Sequence, residues 1–181
     1  ESAWRAPRID LHEAGLDKRA IESLEAARKG MNLEQLEDDV ARANARMICW
    51  DVDDYPKRLR EIDNAPPVLY VRGNLVEKDD WAFAIVGTRR ATSYGKEVTR
   101  ELATALAASG VTIVSGLARG IDAAAHVAAL EAGGRTLAVL GSGLDIIYPA
   151  EHQTLAEKII DHGALISDYP LGTPPDANNF P

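Results

Sequence analysis

The stretch that decides the fold is Ala82 to Gly120, AFAIVGTRRATSYGKEVTRELATALAASGVTIVSGLARG. It opens on an apolar run, Ala82 to Val86, that reads as a buried strand. A small turn, Gly87-Thr88, and two arginines, Arg89 and Arg90, follow. The spacing then predicts a helix over Ser93 to Ser109, stopped at Gly110. A second apolar strand, Val111 to Val114, ends in another small turn, Ser115-Gly116. Strand, turn, helix, strand and turn make one unit of an α/β sheet.

Downstream the alternation continues. A helix is expected over Ile121 to Ala132, ended by Gly133-Gly134, and a strand over Thr136 to Leu140. Gly141-Ser142-Gly143 is a third small-residue turn. A helix over Glu151 to Asp161 and a fourth strand, Ala164 to Ser167, close the series. Four β-rich runs separated by amphipathic helices imply right-handed crossovers and a mostly parallel, Rossmann-like sheet. The tail, Tyr169 to Pro181, is rich in Pro and Asn and reads as irregular.

Upstream, Met47 to Trp50 and Val68 to Arg72 read as short strands and Tyr55 to Ile62 as a short helix, a lead-in lying against the main sheet. Asp51 to Asp54 is a solvated acidic turn: it lacks the Gly and distal Glu of a calcium loop. Residues 1 to 46 read as a small helical module ahead of the domain over 47–181. Leu11, Ala14, Ile21, Leu24 and Ala27 recur at helical spacing, Gly15 and Gly30 end helices, and Asn32 with Gln35 makes a capping-box pattern.

The chain has 181 residues, formal net charge −8 and one cysteine, Cys49. A lone cysteine excludes an internal disulfide framework and fits a reducing, cytoplasmic setting. With four histidines, a Cys/His zinc site is not expected. No apolar run nears the roughly 20 residues of a membrane helix. There is no signal-peptide pattern, and the start at Glu1, without Met, reads as trimmed. Residues 1–80 carry 13 basic and 18 acidic groups, and residues 81–181 carry 7 and 10. An acidic body still allows a local positive site, because screening limits reach to about 8 Å at physiological salt.

Ligands of open parallel sheets sit at the C-terminal strand ends. There lie Gly87-Thr88, Ser115-Gly116 and Gly141-Ser142-Gly143, whose backbone N–H groups can approach an anion. Arg89 and Arg90 add charge and a fork suited to phosphate. Arg119 reads either as a third phosphate contact or as a solvated arginine. Tyr94 reads either as a base-stacking residue or as packing against the sheet. Gly87-Thr88-Arg89-Arg90 is not the dinucleotide fingerprint, and no Walker A loop is present. A catalytic triad of Ser115, Asp122 and His126 is disfavoured. Ser115 is not in G-x-S-x-G, and Asp122 and His126 stand four apart on one helix, the spacing of a surface pair. Asp122 is assigned to helix N-terminal electrostatics and His126 to packing, both lining the site.

The segments YPKRLREI, PPVLYVRGN, AIVGTRRATSYG, VTIVSGLARGIDAAAH, GGRTLAVLGSGLDIIYPAEH and ISDYPLGTPPDANNFP resemble the DNA-processing protein A (DprA, also called Smf) family over Tyr55 to Pro181. The resemblance implies a non-enzymatic protein that binds single-stranded DNA, protects incoming strands in natural transformation and helps load the RecA recombinase, acting as a homodimer without cofactor. It maps the family's phosphate-binding turn onto Gly87-Thr88-Arg89-Arg90. The further pocket walls fall on Ser115-Gly116-Leu117-Ala118-Arg119-Gly120 and Gly141-Ser142-Gly143. Where the family runs on into an Arg-Asn-Arg segment this chain stops, so the sheet is expected to lack strands, part of the pocket and the dimerisation surface. Near Gln153 and Thr154 some members carry a lysine. The alternative is a nucleotide-binding or nucleotide-hydrolysing protein of the phosphoribohydrolase kind using the same pocket, although that family's P-G-G-x-G-T turn is absent.

Overall fold

A computed structural model describes residues 2–180. Contacts divide the chain into two compact units, 1–39 and 40–181. The division falls inside the helix Leu33–Arg42. In the second unit the Ala45 N–H donates to the Val40 carbonyl at 3.0 Å.

The first unit is helical: α1 (Ser2–Arg5), α2 (Arg8–Glu13), α3 (Lys18–Gly30) and most of α4 (Leu33–Arg42). Leu11 and Ile21 are buried at the expected apolar positions, whereas Ala14, just past the end of α2, is exposed. Asp17 caps α3 by accepting from the Ala20 N–H at 2.7 Å. Asn32 accepts from the Gln35 N–H at 3.2 Å, but the Gln35 amide donates forward to Asp39 at 2.9 Å. Only one arm of the capping box forms there.

The second unit contains β1 (Arg46–Cys49), α5 (Lys57–Arg60), β2 (Val68–Gly73), β3 (Ala82–Ala84), α6 (Ser93–Ala108), β4 (Thr112–Ser115), α7 (Ile121–Glu131), β5 (Thr136–Val139), α8 (Gln153–His162) and β6 (Ala164–Ser167). One six-stranded sheet runs β1-β2-β6-β5-β4-β3. Strands β3 to β6 are mutually parallel, while β1 and β2 extend the β6 edge antiparallel. The lead-in segment therefore joins the sheet instead of lying against it. The expected helix over Tyr55 to Ile62 shrinks to the single turn of α5. Tyr55 is buried with its hydroxyl donating to the Pro66 carbonyl at 2.8 Å, and Pro56 is extended, so the chain enters the turn late.

The three crossovers from β3 to β6 all step in one direction across the sheet. Right-handedness therefore puts α6, α7 and α8 on one face. Ile85, Ala103, Ile113, Ala125 and Ala129 form the core under α6 and α7. The small alanines let these helices pack closely on the sheet. Ile48, Tyr55, Leu69, Val71 and Leu137 cluster separately, with Val114 and Ile166 against them. Among the described residues, no helix is long and apolar enough to cross a membrane.

Candidate nucleic-acid interface

The C-terminal ends of β3 and β4 are tied together by the start of α7. The Asp122 carboxylate accepts the Gly87 N–H at 3.3 Å through Oδ1 and the Gly116 N–H at 3.1 Å through Oδ2. Asp122 is buried, with 6% of its surface exposed. Its position in the first turn of α7 places it at the positive end of that helix. The protein's own carboxylate thus occupies the anion cradle that the two small turns were expected to offer phosphate. This corrects the sequence reading at Gly87 and Gly116, whose amides are spent internally.

The glycines have a packing reason. A Cβ at Gly116 would lie 2.9 Å from Asp122 Oδ2, and one at Gly87 would lie 2.7 Å from Ile121 Cγ1. Gly120 has φ +83°, and a Cβ there would collide with the Thr88 carbonyl. The Ile121 N–H donates to that same carbonyl at 3.3 Å. The first turn is clamped onto α7 along its whole length.

Ser115 is buried, and its hydroxyl donates to the Ile85 carbonyl at 2.6 Å. It bridges β3 and β4 and presents no oxygen to a ligand. The pair Asp122 and His126 is not at the surface: His126 is fully buried. The Thr136 hydroxyl donates to the Ile113 carbonyl at 2.8 Å, so it accepts from His126 Nδ1 at 2.7 Å. His126 is therefore the neutral Nδ1–H tautomer. Burial, reinforced by the nearby charge of His152, pushes its pKa down to about 3.

The third turn is also closed. Ser142 is buried and donates to the Ile146 carbonyl at 2.8 Å, and the Gly143 N–H donates to the Thr173 carbonyl at 2.9 Å. The Asn179 amide donates to the Gly141 carbonyl at 3.0 Å. The tail taken as irregular packs over Gly141-Ser142-Gly143, pinned where the Gly172 N–H donates to Asp145 at 2.9 Å. These three residues are structural supports in this fold.

What remains open is a row of side chains. Thr88 accepts the Arg90 N–H through Oγ1 at 3.1 Å, which shapes the turn carrying both arginines. Thr92 caps α6 by accepting from the Gly95 N–H at 3.1 Å. Arg89 lines a cleft with Gly116, Arg119, Tyr148 and Phe180. Its guanidinium carbon sits 5.4 Å from the centre of the Phe180 ring. Arg90 is exposed and does not line that cleft. Among the described residues, Arg89, Arg90, Lys96 and Arg100 form no ion pair. Tyr94 is 76% exposed and does not pack on the sheet.

Arg119 is paired. Its Nε and Nη2 donate to Glu151 Oε1 and Oε2 at 2.5 and 2.9 Å. The fork of hydrogen bonds raises the arginine's pKa and lowers that of Glu151. The sequence reading missed Asp122 as a clasp, Glu151 as the partner of Arg119, and Phe180 beneath Arg89. Only Asp122 left a signal, as an acid two residues after a turn glycine.

Residues 46–181 match the family model described as DNA recombination-mediator protein A. The chain is 43% identical to Protein Smf of Synechocystis over 100% of its own length and 47% of that protein's. It spans about half the length of the curated relatives it matches. The X-ray structure of DNA processing protein A from Streptococcus pneumoniae superposes with TM-score 0.78 at 30% identity, covering 94% of this chain and 59% of that one. A solved structure of Helicobacter pylori DNA processing protein A, reported for its single-stranded DNA binding mode, gives a TM-score of 0.66 at 32% identity, covering 75% of this chain and 60% of that one.

Proposed function

The chain belongs to the DNA recombination-mediator protein A family, and from that premise we propose that it binds single-stranded DNA along the side chains at the strand ends. The observation that carries this reading is Arg89: it lines the cleft and, among the described residues, has no acidic partner. Arg90, Lys96 and Arg100 extend the positive surface along the start of α6, whose first turn holds no acid. Arg119 and Tyr94 complete the surface. Because the Gly87 and Gly116 amides are spent on Asp122, phosphates meet arginine side chains, not a backbone cradle. Backbone contact of this kind is indifferent to base sequence and sensitive to salt.

The role is non-catalytic: the protein shields single strands in transformation and hands them to the RecA recombinase, acting as a homodimer. Against hydrolysis by a Ser115–His126 pair stand the internal hydrogen bonds of both residues.

The test is a titration of a labelled single-stranded oligonucleotide at low and high salt, with Arg89→Ala and Arg90→Ala. Wild type binds at low salt and weakens as salt rises. Arg89→Ala weakens binding about ten-fold or more, the size of a lost charge-assisted contact. No binding by the wild type at low salt defeats the reading.

A further inference from the structure

Arg89 and Arg119 share one cleft but differ in state. Among the described residues Arg89 pairs with no acid and lies beside the Phe180 ring, whereas the Nε–Nη2 edge of Arg119 is filled by Glu151. A carboxylate presents to a guanidinium the same two-oxygen edge that a phosphate does. Arg119 and Glu151 are each 53% exposed, so the pair lies where a strand can reach it.

Glu151 is held there by its neighbours. It lies in a short turn, Ala150–His152, just ahead of α8. The next residue, His152, donates from Nδ1 to the Leu117 carbonyl at 2.7 Å. Leu117 belongs to the same turn as Arg119 and has φ +59°. The turn bearing the arginine and the turn bearing the carboxylate are thus fastened together two residues from the ion pair. Glu151 therefore meets Arg119 as a tethered group at high local concentration.

We propose that Glu151 is a built-in competitor for phosphate at Arg119: in the free protein it holds the Nε–Nη2 edge of the guanidinium, and a DNA phosphate engages that two-donor edge only by displacing it. This rests on the single-stranded DNA reading above. Arg89 is the contact ready at first encounter, and Arg119 joins once a neighbouring phosphate is already held close. A lone phosphate gains only one free arginine here, whereas a strand offers a second phosphate tethered to the first. The arrangement favours polyanions over small anions.

The experiment compares wild type, Glu151→Gln, Arg119→Ala and the double variant for binding of labelled oligothymidylate. Glu131→Gln, the same charge change at the exposed far end of α7, is the control. Glu151→Gln is expected to bind more tightly than Glu131→Gln, by up to about five-fold, the factor an exposed ion pair can withhold. The gain vanishes when Arg119→Ala is also present. Glu151→Ala, run alongside with circular dichroism to confirm folding, gives the same gain if the amide variant distorts the turn. The proposal is overturned if neither Glu151 variant outbinds Glu131→Gln, or if the gain survives the loss of Arg119. Binding by no variant overturns both this proposal and the single-stranded DNA reading. Binding by wild type without a gain at Glu151 overturns this proposal alone.

Discussion

Asp122 Oδ2 stands 3.1 Å from the backbone nitrogen of Gly116, and its other oxygen takes the Gly87 N–H, so one carboxylate closes the ends of β3 and β4. In many α/β proteins that place belongs to a bound phosphate at a helix N-terminus. Here the anion is internal. The pocket is thereby turned from a nucleotide cradle into a rigid base that presents Arg89 outward.

Asp122→Asn tests the clasp. One amide oxygen still accepts an N–H, but the other arm becomes an NH2 facing a donor. The variant is expected to lose about 1–3 kcal/mol, the cost of leaving a buried donor unpaired. Urea unfolding measures it, and an unchanged midpoint would sink the clasp.

Gly120→Ala should cost more than Gly133→Ala, although both glycines have positive φ, +83° and +68°. At Gly133 an added Cβ meets nothing within 4 Å, so the loss is the backbone term alone, about 1–2 kcal/mol. At Gly120 the Cβ also strikes the Thr88 carbonyl, and the first turn must shift. Equal melting temperatures for the two variants would mean the turn is looser than its contacts imply.

The α/β alternation was legible because buried strands and amphipathic helices differ in period, and glycines mark most helix ends. Ala164 to Ser167 is a strand at the residues expected, and the helix expected from Ser93 ends one residue early. The site was legible as a list but not as an arrangement. Asp122 and Gly87 are 35 residues apart, and Arg119 and Glu151 are 32 apart. No local pattern joins such pairs. The fate of Gly141-Ser142-Gly143 was hidden for another reason: the tail that covers it has no period, only side-chain and backbone hydrogen bonds fixed by the folded sheet. Which arginine faces the cleft depended on Phe180, whose position that same tail sets.

Tyr94→Ala separates stacking from packing. The ring is exposed on the first turn of α6, so its removal should leave stability within about 0.5 kcal/mol. If bases stack on it, affinity for an oligonucleotide falls by about 1–3 kcal/mol. Unchanged affinity in the titration puts the strand's path elsewhere.

His126 gives the fold a pH dependence with a definite sign. Its pKa is about 3 in the folded protein, against 6.5 when unperturbed. Between those values the unfolded chain binds a proton that the folded protein refuses, so stability rises with pH and is lost as pH falls through this window. Each pH unit below about 6.5 costs up to about 1.4 kcal/mol from this residue. Replacing it with a neutral group removes the slope, whatever it costs at pH 7. Wild type and His126→Gln should therefore be unfolded with urea at pH 7, 6 and 5. The gap between them is expected to move in favour of the variant as the solution becomes more acidic, because the other titrating groups are common to both. A gap that stays constant across that range would mean that His126 takes up its proton in the folded state, and that its hydrogen bond to Thr136 is not the neutral arrangement described above.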